Sequence, residues 1–206
     1  MSGDREARFV EAVLDLRITR PGDAAALRRS LAMPPGADPR VHRIVYPLLH
    51  GVRPQDEWRW FLVAALATLV PRESRARGSN VETGVSLGWS LRRLAASEER
   101  GPRSRPGRRP PSERRFAALL DADAREMHVH LRGLVRRCLR AGVDVDLARL
   151  LRDLRRWSDP TREVQRRWAR DFWAGQTDRG LDGQAPDPAV DETTDITDIA
   201  EEGGRR

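Results

Sequence analysis

The stretch SERRFAALLDADAREMHVHLRGLVRRCLR, residues 112–140, decides the fold class. Its apolar side chains recur at helical spacing, and they are Phe116, Leu119, Leu120, Met127, Leu131, Leu134, Val135 and Cys138. Such a stripe is typical of an amphipathic helix that packs against a core. We predict one continuous helix that begins at a Ser112 cap and is ended by Gly142.

The same period recurs along most of the chain and predicts an all-α protein, since no segment shows the alternation of a strand. We expect helices over 5–18, 83–96 and in the segments that begin at Asp23, Pro39, Asp56, Asp144 or Asp146, and Asp159-Pro160. Residues 98–111 are rich in Pro and Arg and predict a linker between two small helical bundles, residues 1–97 and 112–175. Residues 72–82 are predicted to form a loop, and 176–206 a disordered acidic tail.

Charge is distributed unevenly along the 206 residues. The chain has no lysine, so all 38 basic side chains are arginine, and the net charge is +7. Residues 178–206 contain nine acidic residues and three arginines, which leaves 35 arginines and 22 acidic residues in 1–177. A basic body of this kind indicates nucleic acid as a partner. An alternative explanation for part of the arginine excess is a solvated surface in a protein encoded by GC-rich codons.

The sequence offers no catalytic or metal-binding motif. It lacks a glycine-rich phosphate loop, a paired-histidine zinc helix, a cysteine cluster and a nucleophile elbow. His128 and His130 are two residues apart on a helix and point in different directions, as do Asp121 and Asp123. We therefore expect no enzymatic activity, no small-molecule substrate and no cofactor. The single cysteine, Cys138, and the lack of a membrane span or signal peptide favour a cytoplasmic protein.

Arginines form rows along three predicted helices. On the wheel of the 112–140 helix, Arg114, Arg125, Arg132 and Arg136 lie opposite the apolar stripe, with Arg140 beside them; similar rows are Arg149, Arg152 and Arg156, and Arg162, Arg166 and Arg170. Like charges at this spacing repel, so the presence of three such rows of arginines favours a polyphosphate ligand over a merely solvated face.

Tryptophans and glycines add two expectations. Trp58, Trp157 and Trp168 fit apolar faces, whereas Trp89 and Trp173 lie off them and could stack on bases or pack against a partner. Gly84 and Gly88 suggest close approach of another backbone, or are merely tolerated.

Motif order indicates a family. The stretches on which a family resemblance rests are AAALRRSL (24–31), WRWFLVAALAT (58–68), GVSLGWSLRRL (84–94), SERRFAALLDAD (112–123), HLRGLVRRCLRAGVDVDLARLLRDLRRW (130–157) and RRWARDFW (166–173). In this order and spacing the chain resembles the CasB family, the small subunit of the type I-E CRISPR surveillance complex called Cascade. The linker and the acidic tail fall outside the resemblance.

The resemblance implies a non-catalytic, all-helical subunit that holds the guide–target heteroduplex and stabilises the displaced DNA strand. The implied partners are the guide RNA, the target and displaced DNA strands, a second copy of the chain and the subunits CasA, CasC, CasD and CasE. By motif position the expected nucleic-acid-binding residues are Arg28, Arg29, Arg92, Arg93, Arg114, Arg115, Arg132, Arg136 and Arg137. Two alternatives stay open, an assembly scaffold whose arginines contact acidic protein surfaces and a helical DNA-binding regulator; the single Asn argues against the regulator.

Overall fold

The computed structural model describes residues 3–71, 84–101, 107, 109–123 and 126–174. Within these residues every regular element is helical, which confirms the all-α prediction. The α-helices are α1 (Gly3–Thr19), α2 (Pro21–Ser30), α3 (Pro39–Val45), α4 (Glu57–Ala67), α5 (Leu87–Arg100), α6 (Pro111–Asp121), α7 (Met127–Arg140), α8 (Leu147–Arg155) and α9 (Glu163–Trp173), and two 3-10 turns cover Tyr46–Leu48 and Pro54–Asp56.

Helix α4 lies at the centre of the fold. Every residue from Arg59 to Ala67 is buried, as expected for a helix that is apolar on all sides. Helices α1, α2, α3, α7 and α8 pack around it. The one charged member of this run, Arg59, donates to the Leu154 carbonyl at 2.8 Å and pairs with Asp56 at 2.5 Å. It therefore joins the start of α4 to the end of α8 without leaving a buried charge unpaired.

Helix α5 organises the other helices by packing against α6, α7 and above all α9. Helix α8 packs on α1 and α4, so apolar contacts cross the predicted boundary at 98–111 and the described residues share one core. The division into two bundles stays a prediction. The predicted loop, most of the linker and the acidic tail lie outside the described residues.

The predicted helix over 112–140 is in fact two helices, α6 and α7. Helix α6 ends at Asp121, and Ala122 is extended with φ −65° and ψ 140°. Asp123 then starts a new turn, because its carboxylate accepts from the Glu126 N–H at 2.9 Å and its carbonyl from the Met127 N–H at 3.0 Å. The wheel that placed Arg114 and Arg136 on one straight stripe was therefore wrong, and Arg125 lies outside the described residues.

Three of the predicted helix caps are confirmed. Asp146 caps α8 through the Arg149 N–H at 2.7 Å, Pro39 opens α3 behind an Asp38 cap, and Gly142 follows α7 with φ +72°. Beyond Gly142, the Val143 N–H reaches back to the Cys138 carbonyl at 2.9 Å, which completes the C-terminal turn of α7.

Other predicted caps were wrong. Asp23 lies inside the first turn of α2, and Asp56 precedes α4 without a capping hydrogen bond. Ser112 lies inside α6, and its predicted cap does not form because the helix already starts at Pro111. Asp159 accepts from the Thr161 N–H at 2.9 Å in a tight turn, so α9 begins only at Glu163. The fifth helix starts at Leu87 behind a Ser86 cap, four residues later than predicted.

The aromatic side chains refine the predicted core. Trp157 and Trp168 are buried as predicted, with ring centroids 5.1 Å apart. Trp58 is only partly buried, and the guanidinium of Arg59 lies over its ring. Trp60 takes the core position in α4 instead and meets Phe9 edge to face. Among the described residues, no helix has the length and apolar composition that crossing a membrane requires.

Candidate nucleic-acid interface

The end of α4 opens into a cleft of about 440 Å³, the Arg136 cleft, which brings together arginines from three helices. The four arginines lining it are Arg17 of α1, Arg28 of α2, and Arg136 and Arg140 of α7. Its remaining wall is the segment Thr68–Pro71 together with Leu139, and no carboxylate is among these lining residues. Four positive charges thus face one space, and the described residues of its wall include no carboxylate.

Two of these arginines are held by the backbone after α4. Arg28 donates to the Thr68 carbonyl at 2.9 Å, and Arg17 donates to the Val70 carbonyl. Carbonyls at the end of a helix lack intrahelical partners and carry partial negative charge, so guanidinium groups satisfy them well. A guanidinium has five donors, so the one hydrogen bond of Arg28 among the described residues leaves donors of that side chain for a ligand.

The other two arginines, Arg136 and Arg140, are exposed, like Arg28. They lie one turn apart on α7, and neither side chain forms a hydrogen bond or ion pair with any residue that the structure describes. Because like charges at this spacing repel, their side chains gain from an anion placed between them. Arg140 and Arg17 were not among the predicted site residues. The wheel had placed Arg140 beside the stripe, but nothing in the sequence pointed to Arg17.

Arg132 and Arg137 have partners within the protein. Arg132 is partly buried and donates to the Leu31 carbonyl, which ties α7 to the end of α2. The expectation that it lies on an exposed stripe opposite the core was therefore wrong. Arg137 pairs with Glu98 of α5. Burial opposes ionisation of Glu98, but hydrogen bonds from Arg137 and Ser112 outweigh it and hold the pKa of this carboxyl below its ordinary value.

The remaining predicted arginines lie on the surface and do not line the Arg136 cleft. Arg29, Arg93, Arg114 and Arg115 are exposed and Arg92 is half-buried. The guanidinium of Arg93 lies 5.0 Å from the ring centre of Trp89, a cation–π distance that accounts for one of the two off-stripe tryptophans. The structure does not unite these five arginines in one site.

Internal packing accounts for the other off-stripe tryptophan and for Cys138. The ring centroid of Trp173 lies 5.3 Å from that of Phe116 and 5.1 Å from that of Phe172. Its indole N–H donates to Glu113 at 3.4 Å. Cys138 is fully buried, as predicted, and burial raises the pKa of its thiol to about 12. No group of three or more potential metal ligands occurs among the described residues.

Comparison with known proteins identifies the family. The family model for the CRISPR-associated protein Cse2 matches residues 23–173. The chain belongs to the Cse2 family. A curated Cse2 protein of Thermus thermophilus is 38% identical over 151 residues, which are 72% of this chain and 77% of that protein.

Solved structures of this family share the fold. The crystal structure of CasB from Thermus thermophilus is 35% identical with a TM-score of 0.63, over 84% of this chain and 99% of that one. M. ruber CasB is 27% identical with a TM-score of 0.66, over 84% and 94%. A chain of a CRISPR RNA-guided surveillance complex, pre-nicking, is 28% identical with a TM-score of 0.67, over 84% and 93%. The predicted resemblance to the CasB family is thereby confirmed.

Proposed function

We propose that this Cse2-family protein is the non-catalytic small subunit of a type I-E CRISPR surveillance complex. In this role it binds the nucleic-acid backbone and stabilises the guide–target heteroduplex and the displaced DNA strand. The observation that supports the nucleic-acid part is the Arg136 cleft, where the described lining residues include four arginines and no carboxylate. The similarity of this chain to a chain of a solved surveillance complex supports the proposal that it assembles into such a complex.

Phosphate chemistry explains why arginines suffice for this role. In RNA-guided recognition, base pairing with the guide supplies sequence specificity, and the protein reads backbone and shape. A guanidinium offers paired N–H donors that match phosphate oxygens, and each phosphate neutralised releases condensed counterions. Arg136 and Arg140 are the side chains we expect to contact phosphate. Arg28 and Arg17 line the same cleft and donate to the carbonyls of Thr68 and Val70.

A second candidate function is an assembly scaffold, and exposed apolar side chains favour it. Met33, Tyr46 and Val129 are 40%, 47% and 50% exposed. Exposed apolar side chains favour protein docking where they form a contiguous patch. In this alternative the arginines contact acidic protein surfaces, so acidic protein and nucleic acid are rival ligands of the same side chains.

Co-purification of the tagged chain with the other proteins encoded beside it, with and without guide RNA, tests the proposed assembly. We expect a stable ribonucleoprotein that contains this chain. A chain that stays monomeric, binds no single-stranded DNA at low salt and joins no such complex would overturn the proposal.

A further inference from the structure

A second cleft, the Arg152 cleft, opens at the other end of α4. Its volume is about 430 Å³, and six arginines line it: Arg53, Arg149, Arg152, Arg155, Arg156 and Arg167. None of them is among the residues that the family resemblance implied. Glu6 of α1 also lines this cleft, whereas Arg17 of the same helix lines the Arg136 cleft. Eleven residues at 1.5 Å each separate these two positions by about 17 Å, so the clefts are distinct.

The three carboxylates of the Arg152 cleft lie low in its wall and hold the arginines in place. Asp153 is 3% exposed and accepts from Arg167 at 2.6 Å and from the Trp168 indole N–H at 2.7 Å. Glu6 is fully buried and pairs with Arg155, and Asp56 pairs with Arg53 at 2.9 Å. Arg156 pairs with Glu163, which lies outside the lining, at 2.6 Å. Six guanidinium groups against four carboxylates leave two positive charges in excess.

Three buried polar atoms of this cleft are not paired by other protein groups that the structure describes. Glu6 Oε2, Arg149 Nε and Arg167 Nε are buried and have no hydrogen-bond partner among the described residues. Arg149 Nε lies 3.2 Å from Asp153 Oδ1, but without the geometry of a hydrogen bond. The two guanidinium Nε–H groups are donors of the kind that phosphate oxygens accept, whereas the Glu6 oxygen is an acceptor and plays no part in binding an anion.

The chemistry of the cleft selects an anion with several acceptor oxygens. Guanidinium groups approach from the segment before α4, from α8 and from α9. A tetrahedral phosphate presents oxygens in all of these directions, whereas a carboxylate presents two oxygens in one plane. The surplus positive charge favours the same class of ligand.

We propose that the Arg152 cleft is a second phosphate-binding site of this protein. A phosphodiester of the nucleic-acid backbone and a free phosphate compound share this chemistry. That the ligand is nucleic acid rests on the proposed function, whereas the affinity for phosphate does not. The two clefts would then hold backbone phosphates at two places on the protein, one at each end of α4.

The test uses two exposed residues at the edge of the Arg152 cleft, so that its buried ion pairs survive. Arg53 and Arg156 have side chains that are 74% and 58% exposed, and the variant is Arg53→Ala with Arg156→Ala. Arg43→Ala is the matched control, because Arg43 is 78% exposed, pairs with Asp23 at 3.1 Å and lines neither cleft. Arg136→Ala with Arg140→Ala reports on the other cleft. Circular dichroism verifies that all variants fold.

Two probes distinguish the sources of phosphate. For fluorescein-labelled single-stranded DNA and the full chain, the slope of log affinity against log salt should flatten in Arg53→Ala/Arg156→Ala. The expected change is about 0.7 for each phosphate that the variant no longer neutralises. Arg43→Ala should leave the slope unchanged. Pyrophosphate should raise the melting temperature of the Arg136→Ala/Arg140→Ala variant, and by less when the Arg53 and Arg156 changes are added.

The outcomes separate this inference from the proposed function. If only the Arg53/Arg156 changes weaken DNA binding, the second site stands and the Arg136 cleft loses its role. If DNA does not bind but pyrophosphate protects through Arg53 and Arg156, the phosphate site stands and the proposed function fails. If Arg53→Ala/Arg156→Ala behaves like Arg43→Ala with both probes, the arginines form a structural ion-pair network only and the inference is overturned.

Discussion

The backbone of Trp168 occupies the space that a side chain at position 88 would need. A β-carbon added to Gly88 would lie 2.2 Å from the Trp168 carbonyl oxygen and 2.8 Å from its Cα. Helices α5 and α9 therefore pack with their backbones in direct contact. The predicted close approach is confirmed at Gly88 and wrong at Gly84, which has open space around it and a φ of +72° that favours glycine for conformational reasons.

Replacing Gly88 with alanine should destabilise the protein. Because the obstructing atoms are backbone, α5 and α9 must move apart, and overpacking of this kind costs about 1–3 kcal/mol. Gly133→Ala is the matched control, since Gly133 lies in α7 with no atom within 4 Å of an added β-carbon. It should gain roughly 0.5–1 kcal/mol from helix propensity. Urea denaturation measures both changes, and equal stability of the two variants would contradict the packing.

Trp168→Ala should cost about 3–5 kcal/mol of unfolding free energy, as large aromatic-to-alanine changes in a core do. The side chain is fully buried against Trp157, and its indole N–H donates to Asp153. Trp58→Ala is the comparison, because that side chain is only partly buried and should cost much less. A Trp168→Ala protein that melts within a degree of wild type would show that Trp168 is not a core residue.

Glu98 should make stability depend on acid pH. Its folded-state pKa is lowered, so the stabilising contribution is complete above the unfolded pKa and is lost as pH falls through the folded value. Glu98→Gln should therefore be less stable than wild type at pH 7, and the difference should shrink as pH falls below about 4.3, the ordinary value for Glu. Glu99→Gln, one residue along on an exposed position, is the control. A difference that stays constant from neutral to acid pH would refute the ion pair with Arg137.

Truncation after Gly175 should leave the helical circular dichroism and the melting temperature unchanged. It removes a segment with a net charge of −6 across 178–206, and we expect DNA binding to strengthen because the tail competes for the arginines. A full-length variant with its tail acids replaced by Asn and Gln separates charge from length. Loss of the cooperative melt on truncation would show that the tail belongs to the folded unit.

Helical periodicity predicted which residues are buried better than where the helices end. The apolar positions of the predicted stripe from Phe116 to Cys138 are buried as expected except Leu120, which is partly buried, yet they belong to two helices. The break has no Gly or Pro to mark it, and the apolar period happens to continue across it. The one local signal is Asp123, whose carboxylate accepts from the Glu126 N–H in the turn that precedes α7; Asp favours such turns because its side chain bonds to nearby backbone N–H groups.

The candidate site was predicted only in part for the same reason. Arg28 and Arg136 do meet in one cleft, but 108 residues of chain separate them, and only tertiary packing shows that Arg17 lies beside them. Arg132 looked exposed because the wheel assumed one straight helix, whereas the Leu31 carbonyl accepts its guanidinium. A helical wheel orients side chains about one axis and says nothing of what neighbouring helices offer them.

Binding of target DNA by the assembled complex also separates the two candidate functions. Arg136 and Arg140 provide the sharpest test, because neither side chain has a partner among the described residues and both are exposed. Exposed substitutions usually change stability by no more than about 0.5 kcal/mol, so the variant should fold. A folded Arg136→Ala/Arg140→Ala subunit that fails to join the complex would favour the scaffold.

The most direct measurement is the salt dependence of target-DNA affinity for the complete complex, with wild-type subunit, Arg136→Ala/Arg140→Ala subunit and the Arg43→Ala control. If both arginines neutralise a phosphate of a single strand, the slope of log affinity against log salt should flatten by about 1.4, for all target sequences alike. Arg43→Ala should match wild type. A fully assembled Arg136→Ala/Arg140→Ala complex whose slope equals that of wild type would contradict nucleic-acid binding by the Arg136 cleft.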